Sequence, residues 1–67
     1  MNLTVNGAPR AFDPPPATLA DLVRRLELEG KRVAIERNGE IVPRSRFPDT
    51  WLADGDKLEI VVAVGGG

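Results

Sequence analysis

No cysteine and no histidine occur among the 67 residues. The first absence excludes disulfides and thiolate metal sites. The second removes the usual general base and the usual zinc ligand. Any metal site would have to be all-oxygen, and the acidic residues are scattered rather than set at calcium-loop spacing. Nor does one sign of charge dominate: nine basic and ten acidic side chains give a net charge of −1, with no block of either. There is thus no electrostatic case for binding nucleic acid or an anionic membrane. The longest uninterrupted apolar run, Ile60 to Val64, is far short of a membrane span. The opening "MNLTVNG" lacks the basic-then-apolar layout of a secretory signal. These absences predict one soluble, cytoplasmic domain near the lower size limit for folding alone. A core this small supports only about 3–5 kcal/mol without a staple.

What is present alternates and turns. In "NLTVN", Leu3 and Val5 share one face, and Asn6–Gly7 marks a tight hairpin. A short second strand around Arg10–Phe12 runs into Pro14, Pro15 and Pro16, which cannot join a ladder and make an extended connection. Thr18 with Asp21 gives the capping-box pattern, and Leu19, Leu22, Val23 and Leu26 then recur at helical spacing. Gly30 suits the left-handed stop position. Residues 32–38 predict a strand with Val33 and Ile35 inward. Asn38–Gly39 is a second hairpin turn, leading to a short strand, Glu40–Val42, that stops at Pro43. Phe47, Trp51 and Leu52 are expected to plug the open end of the core. "DGD" at Asp54–Asp56 turns the chain into a last strand, Lys57–Val64.

One helix must cover one face of one mixed sheet, since nothing else can bury its apolar stripe. The first and last strands then lie parallel in the centre, with the helix in the crossover. The fold class is α+β: a β-grasp, or ubiquitin-like, domain over residues 1–64 with four to five strands. Residues 65–67 are expected to form a flexible glycine tail.

The last strand raises the functional question. Leu58, Ile60 and Val62 share the face expected against the helix, while Glu59, Val61 and Ala63 lie opposite. A solvated face is normally polar, and toward its end this one is not. Either a loop or neighbouring strand buries it, or it is a docking surface of Val61, Ala63 and Val64 beside the tail.

After Val64 come Gly65, Gly66 and Gly67. Glycine, lacking a Cβ, can thread a narrow channel in a partner. Three extended residues reach roughly 10 Å. The α-carboxylate is ionised at neutral pH and can attack an activated phosphate. A carboxylate is itself a poor acyl donor, so acyl chemistry requires conversion to an acyl-adenylate, from which a sulfur nucleophile can displace AMP. The chain has no phosphate-cradling glycine loop and no metal cluster to hold ATP. It reads as substrate and carrier, with no catalytic residue of its own.

The whole chain resembles the ThiS family of sulfur carrier proteins in thiamin biosynthesis. The likeness rests on "NLTVNG", "ERNGEIVPRSRF" and "DGDKLEIVVAVGGG". It implies that an adenylating enzyme of the ubiquitin-activating kind uses Mg-ATP, which this chain does not bind, to adenylate Gly67. A persulfide sulfur donor then leaves a thiocarboxylate there, and thiazole synthase accepts the sulfur. Gly66 and Gly67 match the family's terminal pair, and Gly65 lengthens the tether that enters the partner. The rival readings are a small subunit of molybdopterin synthase, a ubiquitin-like protein modifier, and a β-grasp binding module with an inert tail.

Overall fold

The structure, a computed structural model, describes residues 1–63. Strand β1, Asn2–Val5, turns back through Asn6 and Gly7, whose φ values of +51° and +80° are those of a two-residue hairpin turn. Strand β2 is Ala8–Ala11, starting two residues and ending one residue before the expected Arg10–Phe12, because the tight turn pairs Val5 with Ala8 at once. Pro9 is tolerated there because β2 is an edge. Phe12 leaves the ladder and is buried, with the Arg10 and Arg25 guanidiniums 5.4 and 5.7 Å from its ring centre.

Helix α1, Leu19–Arg25, begins at the expected capping box. The Thr18 hydroxyl accepts from the Asp21 amide, and the Asp21 carboxylate accepts from the amides of Ala17 and Thr18. Leu19, Leu22 and Val23 are buried, and Leu26 is half-buried. The helix does not run on to Gly30. Glu27 takes the left-handed position at φ +59°, donating to the Arg24 carbonyl at 3.0 Å, while Leu28 donates to Val23 at 2.9 Å. This is a Schellman motif. It stops the helix early because Leu28 folds back onto the core beside Val23. Gly30, at φ +85°, serves a separate turn closed by Lys31 donating to the Leu28 carbonyl.

Strands β3 (Val33–Arg37) and β4 (Glu40–Val42) form the second hairpin, with Asn38 and Gly39 at φ +51° and +87°. A 3-10 turn over Arg44–Asp49 follows. Phe47 and Leu52 plug the core as expected, but Trp51 is 68% exposed. Leu19 donates to Thr50 and Leu52 donates to Ala17, so this segment is extended; with Leu52 inward, its neighbour must point out.

Strand β5, Lys57–Val62, completes a five-stranded sheet in the order β2-β1-β5-β3-β4. The β1–β5 pair is parallel and the others are antiparallel. The strand stops at Val62, short of the expected Val64, which lies outside the described residues. Leu3, Val5, Ile35, Leu58 and Ile60 from the sheet meet the helix stripe, Phe12, Phe47 and Leu52. Leu3, Leu19, Leu22, Ile35 and Leu58 are fully buried, each worth about 1.5–3 kcal/mol relative to exposure. Val62 shares their face by parity yet is 38% exposed, since it lies beyond the last residues of β1.

Candidate functional site

The chain that leads to the glycines is held from both sides. Toward β1, Asn6 donates its backbone N–H to the Leu58 carbonyl at 2.8 Å, and its side-chain amide then engages Ile60. Asn6 Oδ1 accepts from the Ile60 amide at 2.6 Å, and Asn6 Nδ2 donates to the Ile60 carbonyl at 3.0 Å. Toward β3, the ladder runs from Arg37↔Leu58 to Val33↔Val62, and the Ala63 amide still donates to the Arg32 carbonyl at 2.9 Å. Order therefore persists to the last described residue.

The start of β5 is fixed by a second asparagine. Asn38 Oδ1 accepts from the Lys57 amide at 2.9 Å, and Asn38 Nδ2 donates to Asp56 Oδ1 at 3.1 Å. Asp56, buried, also accepts from Arg37 Nε at 2.8 Å and from the Ala53 amide at 2.9 Å. Burial is the largest single influence on this carboxyl and opposes its ionisation. The Ala53 amide, Arg37 and Asn38 together outweigh it and hold the group below the usual carboxylate range. Among the described residues no buried side-chain nitrogen or oxygen lacks a partner. Sequence reasoning assigned Asn6, Asn38 and Asp56 to turns alone. Their second role joins residues about 20 to 50 positions apart, and local pattern carries no trace of that.

Val61 is 65% exposed, on the face away from the helix, and Ala63 is exposed too. Burial by a loop or another strand does not occur. Both residues line a shallow concavity of about 330 Å³ together with Arg32, Val33, Ala34 and Arg44. Ile41, in β4, is 78% exposed on the same outer face, a residue the sequence reading left out. Val64, Gly65, Gly66 and Gly67 lie outside the described residues. Among the described residues, no group of three or more acidic side chains is placed to hold a metal ion. No helix among them is long and apolar enough to cross a membrane.

A five-stranded mixed sheet with parallel first and last strands, crossed on one face by a single helix, defines a β-grasp domain. The ThiS family model matches residues 3–67. The chain belongs to the ThiS family, sulfur carrier proteins of thiamine biosynthesis that are carriers rather than enzymes. The sulfur carrier protein ThiS of Bacillus subtilis (strain 168) is 40% identical over 65 residues, covering 97% of this chain and 98% of that one. The crystal structure of the thiamine biosynthesis protein (ThiS) of Geobacter metallireducens matches with a TM-score of 0.84 at 38% identity, over 100% of both chains. A thiazole synthase of Paramagnetospirillum magneticum is 45% identical over 67 residues. This chain spans all of that match but only 20% of the synthase's length.

Proposed function

We propose that this chain carries sulfur for thiazole formation as a thiocarboxylate on Gly67. A partner enzyme binds Mg-ATP, and a carboxylate oxygen of Gly67 attacks the α-phosphorus, releasing pyrophosphate and forming the acyl-adenylate. The terminal sulfur of a partner's persulfide attacks the acyl carbon, and AMP leaves. A second thiol then attacks the partner's sulfur of the resulting acyl disulfide, forming a disulfide with it and freeing the thiocarboxylate. Thiazole synthase accepts that sulfur, an oxygen from water or from the sulfur-accepting substrate replaces it on the acyl carbon, and the Gly67 carboxylate returns to the cycle.

The observation that carries this reading is the anchoring of the chain at β5 as far as Ala63, followed in sequence by Val64 and three glycines. A fixed root and side-chain-free residues beyond it suit a tail, residues 65–67, that enters a partner's active site. Val61 and Ala63 offer exposed apolar surface ahead of that tail, suited to docking. Membership in the ThiS family and the joining of such a domain to a thiazole synthase in one relative support the acceptor assignment.

The test is intact-mass measurement after incubation with ATP, the cognate adenylating enzyme and a sulfur donor. One oxygen should be exchanged for one sulfur, with no change when Gly67 is deleted. An adduct with a second protein that survives a thiol reductant, as an isopeptide would, would instead identify a modifier. An unchanged mass with a demonstrably active enzyme would leave the tail inert and end the carrier reading.

A further inference from the structure

We propose that the outer face of the sheet is a charge-ordered docking face for the thiazole synthase, with Glu36 and Glu59 receiving a lysine or arginine of that enzyme. The proposal rests on the carrier reading above. Register sets the pattern. Glu59 of β5, Glu36 of β3 and Ile41 of β4 form one cross-strand row. In the next row Val61 lies opposite Ala34, and beyond it Ala63 meets Arg32 and Arg44 around the 330 Å³ concavity.

Lys57 of β5 faces outward in the row beyond Glu59; from there toward the tail the face runs through an acidic row and an apolar middle to a basic end. Single exposed apolar residues are ordinary on a small protein, but Ile41, Ala34, Val61 and Ala63 share adjoining rows of one face. The acidic row is the stronger sign. Directly opposed like charges destabilise a sheet. Glu36 and Glu59 are so opposed, both are exposed, and neither belongs to an ion pair among the described residues. A cation brought by a partner would relieve that repulsion only in the complex, which converts a defect of the free domain into selectivity. Arg32 and Arg44 at the far end call for carboxylates on the same partner. An acidic row on one side of the apolar middle and a basic pair on the other permit one orientation, and that orientation fixes the direction in which the chain leaves Ala63. The synthase is the occupant because a relative carries such a domain and a thiazole synthase in one polypeptide.

The experiment measures the dissociation constant of the full chain for its cognate thiazole synthase by titration calorimetry, alongside thermal unfolding. The isosteric pair Glu36→Gln with Glu59→Gln should melt at or above the wild-type temperature yet bind at least tenfold more weakly. Arg32→Gln with Arg44→Gln should also weaken binding at least tenfold, whereas Arg24→Gln on the helix should not. If the wild type binds and both double variants bind as tightly, the charge-ordered face is overturned and the carrier reading stands. If the wild type does not bind an active synthase, the face and the acceptor assignment fail together, while thiocarboxylate formation is judged separately by mass.

Discussion

The side-chain amide of Asn6 pairs with the backbone of Ile60 as a further strand residue would, accepting from its N–H at 2.6 Å and donating to its carbonyl at 3.0 Å. One turn residue thus closes the first hairpin and extends the β1 ladder along β5. Asn6→Gly keeps the positive φ that the turn needs while removing the clamp. Two lost hydrogen bonds, partly exposed, should cost about 1–2 kcal/mol in urea unfolding. An unchanged midpoint would mean that Asn6 acts only through the turn.

Asp56 should make the domain acid-labile. Its carboxyl is held below the ordinary value by interactions that outweigh burial. The unfolded chain then binds more protons than the native one across the window between the two pKa values. The stabilisation is complete above the unfolded pKa of about 3.9 and is lost as pH falls through the lower folded value. Asp56→Asn should lower stability at pH 7 by about 2–3 kcal/mol, through weakened charged hydrogen bonds to Arg37 and the Ala53 amide. It should also flatten the stability profile below pH 4. A variant as acid-sensitive as wild type would assign that sensitivity to another carboxylate.

Glu27→Gly is expected to stabilise. Glu27 occupies the left-handed position that ends α1, where a side chain costs about 1–2 kcal/mol and glycine does not. The greater freedom of glycine in the unfolded chain offsets about 0.4–1 kcal/mol of the gain. A net increase of about 0.5–1 kcal/mol should appear as a higher melting temperature; a decrease would show that the Glu27 side chain makes a compensating contact.

Val61→Asp should separate docking from folding. Val61 is 65% exposed, so its replacement should shift stability by no more than about 0.5 kcal/mol. Binding to the cognate thiazole synthase, followed by titration calorimetry, should weaken at least tenfold. Cooperative unfolding of the variant at markedly lower denaturant would assign the residue to the core instead.

The sequence signals that proved dependable were those whose physics is local. The two Asn-Gly turns, the Thr18–Asp21 capping box and the alternation of Leu3 with Val5 each involve neighbours within a few residues, and all appear in the fold. Gly30 misled because the helix end is decided by Leu28 returning to the core, and a glutamate accepts the strained position to allow it. Trp51 misled because size alone argued for burial, while backbone pairing of Thr50 and Leu52 points it outward. For the candidate site, the outward parity of Val61 and Ala63 was legible. The opposition of Glu36 to Glu59 was not, since it depends on a register between strands separated by a turn, a hairpin and the 3-10 segment.

The position of β5 between β1 and β3 also has a mechanical meaning. A pull applied beyond Val62, along the strand, loads the rungs on both flanks together in shear. At either border of the sheet the same tug could peel the strand away one rung at a time. A handle attached to the innermost strand can be gripped and drawn without unravelling the body behind it.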